Sequence, residues 1–277
     1  MKPFLGIDLT TDKKNAQLNG YEFLVQKPSA ALEAALSSSS ERADETTKKS
    51  KLPLFFRICQ YVCGIGALAI GSGILKADVS FRQGYQNAPA LHWACGICAV
   101  IWLLLWAWSK LKAQTVLETE ESAQTFSHLN SVANAIYKEL SVPDDAKDID
   151  VLSFFYVLKD GEIKAKTKGM QTAEYLNPEF KIFTDDQNLY LANLDGKYAF
   201  PFSSIVTIHT VQKRIRIAGW NKSEKPTKGI YKQYKMTSDN YAVHCKYYHI
   251  LEVNHHGEHF GIYFPCYELP TIEECKM

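Results

Sequence analysis

Two blocks without a charged residue limit what this chain can fold into more than any other feature. The first covers residues 58–75 (ICQYVCGIGALAIGSGIL) and the second residues 88–108 (APALHWACGICAVIWLLLWAW). Because a helix rises 1.5 Å per residue, the first block alone spans about 27 Å, the thickness of a bilayer core. The sequence predicts a transmembrane helical hairpin over residues 51–112, with spans at about 57–76 and 88–109.

Two other interpretations of these blocks are weaker. A cleavable signal peptide lies within roughly the first 15–30 residues of a chain, whereas the first block begins at Ile58. A core helix of a soluble protein keeps a polar face, whereas WLLLWAW is apolar all round. The blocks are therefore interpreted as membrane spans.

The basic residues beside the spans predict their orientation. Cytoplasmic ends of spans carry an excess of Lys and Arg. The outer ends of the hairpin have six such residues, and the connecting segment has only Lys76 and Arg82. We expect a two-span protein of the cell membrane with both termini in the cytoplasm. The six are Lys48, Lys49, Lys51, Arg57, Lys110 and Lys112.

Small residues recur along the first span. Cys63, Ala67 and Gly71 are four residues apart, a spacing that lets two helices approach closely. The partner is either the second span of the same chain or a second copy in a homodimer. The seven cysteines show no disulfide spacing, which favours a reducing compartment.

The segments that flank the hairpin differ in character. Residues 1–50, which turn rich in Ser, Ala and Glu after Pro28, are predicted to be a flexible cytosolic tail. Residues 113–142 are predicted to form an amphipathic stalk helix that Pro143 ends. Its apolar stripe consists of Phe126, Leu129, Ala133, Ile136 and Leu140.

Residues 143–277 have the pattern of an antiparallel β domain. Short stretches rich in β-branched and aromatic residues alternate with turn residues, and Asp160-Gly161 and Asp195-Gly196 are strong hairpin signals. The predicted class is therefore an α+β membrane protein, in which a two-helix hairpin precedes a small β barrel or sandwich.

One stretch of this domain resembles a known family. Residues 180–208 (FKIFTDDQNLYLANLDGKYAFPFSSIVTI) are similar to the middle strands of bacterial pleckstrin-homology-like and GRAM-like domains. The resemblance rests on the triplet Leu189-Tyr190-Leu191 and on the element from Pro201 to Ile205. It implies a bacterial membrane protein whose β domain binds lipid head groups or protein partners. Such folds close with a C-terminal helix, whereas only LPTIEECKM follows the last strand here, so the stalk helix is a candidate to replace it.

The densest run of positive charge lies between residues 213 and 235. It holds eight basic residues and one acidic residue, Glu224. Such a surface suits the anionic inner leaflet, although a solvated loop has the same composition. Nucleic acid is disfavoured because the net charge of the chain is only +1 and the domain is tethered to a membrane. The candidate lipid-binding residues are Lys213, Arg214, Arg216, Trp220, Lys222, Lys225, Lys228, Lys232 and Lys235.

A second candidate site is the run His255-His256-Gly257-Glu258-His259. Imidazoles and a carboxylate are ligands for transition metals. The run also lies where a hairpin turn is needed, and Gly257 suits that turn. A metal-dependent sensor or enzyme that uses His255, His256 and His259 is therefore an alternative to a plain turn.

The sequence contains no local catalytic motif. Phosphate-binding loops, nucleophile elbows and dinucleotide fingerprints are missing from it. The favoured interpretation is a membrane-tethered binding or scaffolding module without catalysis or a cofactor. Its expected partners are the bilayer and either a protein or a second copy of the chain, and a subunit of a larger membrane complex is another alternative.

Overall fold

The computed structural model describes residues 1–6, 18–76, 88–154, 156–159, 162–165, 175–176, 178–218, 228–238 and 242–275. The chain divides into two compact units, a helical one (Ala30–Ala133) and a β-rich one (Met1–Ser29 with Asn134–Met277). The predicted combination of long apolar helices with antiparallel sheets is confirmed at this level.

The helical unit contains two apolar helices. Among the described residues, the segments Leu54–Ile74 and Pro89–Leu117 are long and apolar enough to cross a membrane, and none of the apolar window of either is buried in protein. A core helix of a soluble protein would be mostly covered, so that interpretation of the second block gains no support. The helices are α1 (Ala30–Ser50), α2 (Leu54–Lys76), α3 (Pro89–Leu117) and α4 (Glu120–Glu139), whose last turns belong to the β unit.

Small residues let α2 and α3 pack closely as an antiparallel pair. A β-carbon on Gly64 would lie only 2.9 Å from the Trp102 ring. Further along, Gly66 and Gly71 face the sulfur atoms of Cys98 and Cys95, each at 3.7 Å from such a β-carbon. The small-residue face of α2 is thus used within the chain.

The helix α1 packs beside α3. Ser39 Oγ lies 3.0 Å from His128 Nδ1, and Lys112 Nζ donates a 2.9 Å hydrogen bond to the carbonyl of Lys51. Because residue numbers rise along one partner as they fall along the other, α1 runs antiparallel to α3 and α4.

The beginning of the chain belongs to the β unit, which corrects the flexible tail predicted for residues 1–50. The strand β1 (Lys2–Pro3) pairs with residues 260–261, and β2 (Leu24–Gln26) pairs with residues 197–198. Phe4 is fully buried among Phe23, Phe180 and Phe200. Residues 30–50 are helical rather than a linker. Composition predicted neither the two strands nor the helix, because the residues that they pack against lie elsewhere in the chain.

The β unit consists of short strands, with bounds as follows. They are β3 (Lys147–Asp150), β4 (Ser153–Phe154), β5 (Tyr156–Lys159), β6 (Glu162–Ala165), β7 (Tyr175–Leu176), β8 (Glu179–Thr184), β9 (Asn188–Asn193), β10 (Gly196–Pro201), β11 (Ile205–Val211), β12 (Ile215–Ala218), β13 (Thr237–Ser238), β14 (Ala242–Cys245), β15 (Tyr248–His255) and β16 (Glu258–Pro265). Two short helices, α5 (Lys228–Gln233) and α6 (Leu269–Glu273), complete it.

Three sheets stack as layers with two cores between them. The central sheet has the order β1-β16-β15-β11, the second β2-β10-β9-β8-β3 and the third β13-β14-β12-β7-β4, and β5 pairs with β6 separately. Leu251 and Phe260 of the central sheet face the second sheet in the first core, and Tyr248 and Ile250 face the third sheet in the second core. Both faces of the central sheet are therefore buried.

The predicted stalk helix is divided. The helix α3 continues to Leu117, and α4 begins at Glu120 after a break. The end of α4 lies against the second sheet, because Lys181 Nζ is 5.9 Å from the centre of the Tyr137 ring and Gln26 Nε2 donates a hydrogen bond to the carbonyl of Glu139. The C-terminal helix α6 has only five residues.

Candidate basic site

The third sheet separates its polar and apolar side chains by strand alternation. Ile215, Ile217, Val243 and Cys245 are almost completely buried in the second core. Because neighbouring residues on a strand point to opposite faces, the residues between them lie on the outer face. The register aligns Arg216, His244 and Thr237 in one row across β12, β14 and β13.

The topology brings basic residues from three strands to one end of this sheet. Both β12 and β13 pair antiparallel with β14, so their first residues lie where β14 ends. Strands are about 4.8 Å apart, so β12 and β13 are about 10 Å apart. The exposed basic residues next to these strand ends are Lys213 and Arg214 before β12, Lys235 before β13 and Lys246 after β14. Lys232 lies in α5, three residues before Lys235, and we call these five residues the basic cluster.

The stretches that form this end of the sheet carry charge of one sign. Residues 211–218, 228–238 and 242–248 contain seven Lys or Arg residues and no Asp or Glu. Like charges held together are not neutralised from within these stretches, so they raise the local positive potential. An anionic surface or ligand would relieve this repulsion.

Arg214 is oriented by the sheet beneath it. Its Nη2 lies 3.1 Å from Nδ1 of His244, which is only 8% exposed. A guanidinium can only donate, so Nδ1 of His244 is the acceptor. This bond fixes one guanidinium nitrogen and leaves Arg214 exposed at the cluster.

The short helix α5 anchors two lysines of the cluster. Ile230, Tyr231 and Tyr234 pack against the second core. The helix ends with Lys235 in the left-handed conformation (φ 51°), and the N–H of Met236 donates to the carbonyl of Tyr231. This end motif satisfies carbonyls that would otherwise lack partners and fixes the turn that carries Lys235.

The structure accounts for part of the predicted basic segment. Lys213, Arg214, Arg216, Lys232 and Lys235 are described, and Lys228 is the first residue of α5. Trp220, Lys222 and Lys225 lie outside the described residues. Sequence reasoning missed Lys246 and His244, which join the site from β14 because of strand pairing. The only signal for them was the alternation of apolar and polar residues along 242–246.

The histidine run forms the turn between β15 and β16. His256 and Gly257 both have positive φ, at 50° and 83°, as a two-residue hairpin turn requires. His259 Nδ1 lies 2.7 Å from Glu252 Oε1, whereas His255 packs its ring against Phe23. Within the described part of the chain, no three metal-ligating side chains come together, here or elsewhere.

A polar network joins the segment that follows β16 to the strand β3. The Tyr267 hydroxyl donates a 2.6 Å hydrogen bond to Asp150, and the Asp150 N–H donates to Glu268. Burial, followed by the charge of Asp150, raises the pKa of Tyr267 well above its ordinary value. The tyrosine thus stays a hydrogen-bond donor, and this network is structural.

No protein-family model, curated protein or solved structure matches the chain. What it does must therefore be inferred from its own residues, of which the basic cluster and the two exposed apolar helices are the most informative.

Proposed function

We propose that the chain is a non-catalytic binding module, tethered to the cell membrane, whose basic cluster contacts anionic lipid. The observation that carries the proposal is the gathering of five exposed cations at one end of the third sheet. In this proposal the β unit is of the pleckstrin-homology-like kind. This assignment is supported by residues 180–208, which resemble the middle strands of such domains. They form the consecutive antiparallel strands β8, β9 and β10, followed by β11.

The proposed membrane insertion is supported by the length and surface of α2 and α3. They contain 23 and 29 residues, which correspond to about 35 and 44 Å of helix. Many of their large apolar side chains are exposed, such as Leu68 at 75%. Burying such surface in lipid is favourable by about 25 cal/mol per Å². The excess of Lys and Arg at the outer ends supports cytoplasmic termini.

Because the chain is tethered to the membrane, weak lipid contacts are sufficient to hold the β unit at its surface. A basic residue held near an anionic leaflet contributes about 1 kcal/mol. Attachment to the membrane raises the effective concentration of lipid around the β unit. A handful of lysines would then orient the unit without a deep ligand pocket. A protein partner with an acidic surface is the second candidate, since the same charge pattern would attract it.

The test uses the full chain in nanodiscs of phosphatidylcholine, mixed with vesicles of phosphatidylcholine alone or with added phosphatidylglycerol. We expect the nanodiscs to float with the anionic vesicles only, and less at high salt. The variant Lys213→Glu with Lys232→Glu should lower this binding at least tenfold, because each reversal replaces an attraction of about 1 kcal/mol by repulsion.

A matched control changes the net charge equally elsewhere. Lys27 and Lys138 are exposed residues of the β unit outside the basic cluster. Lys27→Glu with Lys138→Glu should bind much as the unchanged chain does. Equal binding by all three chains would refute the lipid role and direct attention to a protein partner.

A further inference from the structure

Two buried thiols from different layers of the β unit face each other in the second core. Cys245 ends β14 in the third sheet, and Cys266 directly follows β16 of the central sheet. Both are completely buried, and both are free. Both belong to the buried cluster of the second core, and the pairing of Tyr248 with Pro265 brings Cys266 back beside the segment that holds Cys245. The two side chains are therefore neighbours, although twenty residues separate them in the chain.

The surroundings of the pair favour thiol chemistry over metal binding. Tyr234 lies near Cys266, and Tyr247 lies near both cysteines. His249 is 2% exposed and its Nε2 has no hydrogen-bond partner among the described atoms, yet His249, Cys245 and Cys266 do not converge as a ligand set. The pair is therefore a dithiol without a third ligand.

The two thiols are not equivalent. The Cys266 side chain, together with the Cys266 N–H, donates to the Cys245 sulfur and lowers the pKa of Cys245. The same contact, together with burial, raises the pKa of Cys266. A thiolate in this pair would therefore form on Cys245, and the thiolate is the reactive form of cysteine.

We propose that Cys245 and Cys266 are an oxidation site, which a small peroxide converts into an intramolecular disulfide. This inference does not depend on lipid binding. It adds a chemical function to the β unit at the end of the sheet that carries the basic cluster, since Lys246 is the next residue after Cys245.

The reaction balances with hydrogen peroxide as the oxidant. The Cys245 thiolate attacks one peroxide oxygen, the O–O bond breaks, and the hydroxide that leaves takes up a proton to become water. The resulting sulfenic acid is attacked by the sulfur of Cys266, which loses its proton as the S–O bond breaks and a second water leaves. Two thiols lose two hydrogen atoms, and one peroxide becomes two waters.

Burial selects for a small oxidant. The strand β13, which covers β14 at the edge of the third sheet, has only two residues. Such a short edge opens locally at low free-energy cost, which admits a molecule little larger than water. Larger disulfide reagents should react much more slowly.

The experiment treats the purified full chain in detergent with equimolar hydrogen peroxide. The chain is then unfolded in acid, its remaining thiols are alkylated, and its peptides are mapped by mass spectrometry. We expect a cross-linked pair of peptides that joins Cys245 to Cys266 and is two hydrogen atoms lighter than its separate parts. Two results would refute the proposal. One is that peroxide oxidises other cysteines while Cys245 and Cys266 both stay free. The other is that Cys245 or Cys266 forms its disulfide with a different cysteine.

Variants separate the two roles. Cys275→Ser is the matched control, because Cys275 also lies in the β unit, and it should leave the cross-link unchanged. Cys266→Ser should abolish the cross-link and leave Cys245 as a sulfenic acid, which dimedone traps once the chain is unfolded. If Cys266 in the Cys245→Ser variant reacts faster than Cys245 in the Cys266→Ser variant, the proposed order of attack is wrong.

Discussion

Asp185 organises the hairpin between β8 and β9. One carboxylate oxygen accepts hydrogen bonds from the backbone N–H groups of Gln187 and Asn188, at 2.8 and 2.7 Å, and the other accepts from the Tyr190 hydroxyl at 2.7 Å. These bonds favour the charged carboxylate, and the bond from Tyr190 is the largest cause of its lowered pKa. The turn is thus stabilised by one ionised group.

Changing Tyr190 to Phe should raise the pKa of Asp185 towards its ordinary value, because the strongest donor is lost. The contribution of Asp185 to stability is complete above its unfolded pKa of about 3.9 and is lost as the pH falls through the lower folded pKa. In the variant this contribution should therefore be smaller, and its loss should be complete at a higher pH. The measurement is an NMR titration of the Asp185 carboxyl carbon.

The exposed Tyr21 provides a comparison for that variant. Tyr21→Phe removes a hydroxyl from another part of the β unit and should leave the titration of Asp185 unchanged. An unchanged titration in Tyr190→Phe as well would show that the backbone donors alone hold the carboxylate charged.

Single residues of the basic site were only partly predictable. Lys213 and Lys232 belong to a run of charge that is visible in the sequence. Lys246 joins them only because β14 lies between β12 and β13, and the pairing of strands distant in sequence leaves no local signal. His259 was likewise identified as a candidate from the sequence. Its pairing with Glu252 could not be predicted, because it depends on the register of the hairpin.

The helix α4 ends in a motif that usually contains glycine. The N–H of Val142 donates to the carbonyl of Tyr137, and the N–H of Ser141 to that of Lys138. Ser141 adopts the left-handed conformation, with φ at 55°. A residue with a β-carbon is strained there by about 1 kcal/mol.

Replacing Ser141 with Gly should therefore raise the free energy of unfolding of the β unit by about 0.5 kcal/mol, since the entropy of the unfolded glycine offsets part of the gain. The measurement is the midpoint of thermal unfolding by near-ultraviolet circular dichroism in detergent. Ser141→Ala keeps the β-carbon and should show no increase. An equal increase in both variants would mean that strain at this residue is not the cause.

Elements were easier to predict than single contacts, because their signals are local. Runs of apolar residues mark α2 and α3. The predicted turn at Asp195-Gly196 is displaced by one residue, because Asn193 pairs with Gly196 and the turn consists of Leu194 and Asp195. The break between α3 and α4 has a weaker marker, Thr119, whose hydroxyl accepts the Ser122 N–H and caps the start of α4. The helix α1 was missed because its run of serines looks like a linker, whereas its position beside α3 favours a helix.

At the scale of the molecule, the two connections between the units leave the β unit at one place. The N–H and hydroxyl of Ser29 both donate to the Glu139 carboxylate, at 3.1 and 3.0 Å. The helical unit is therefore inserted into a β unit whose two parts meet at Ser29 and Glu139.

A chain that joins residues 1–29 directly to 134–277 through about eight Gly and Ser residues should fold as a soluble β unit. Such a linker spans about 16 Å, whereas Asn134 lies about 7.5 Å along the helix from Glu139. Residues 134–277 alone should not fold, because Phe4 and Phe23 are missing from the first core and each such loss costs about 3–5 kcal/mol. Dispersion of amide signals in NMR spectra distinguishes the two outcomes.

The control for this design is the joined chain with Phe4→Ala and Phe23→Ala. It keeps the backbone of β1 and β2 and removes only the aromatic side chains. Native-like spectra from this control, or from residues 134–277 alone, would show that the beginning of the chain is dispensable for the fold.

The burial of Phe4 against the end of the chain has a consequence for synthesis on the ribosome. Lys2 pairs with Glu258, 256 residues later, at 2.6 Å, and Phe4 shares its core with Phe260 and Phe264. At about 5–20 residues per second, the ribosome needs roughly 13–50 s to make the chain between them. Both apolar helices are synthesised within that interval, while the first residues still await their partners. The two apolar helices must therefore reach their final environment before the first core of the β unit can be completed.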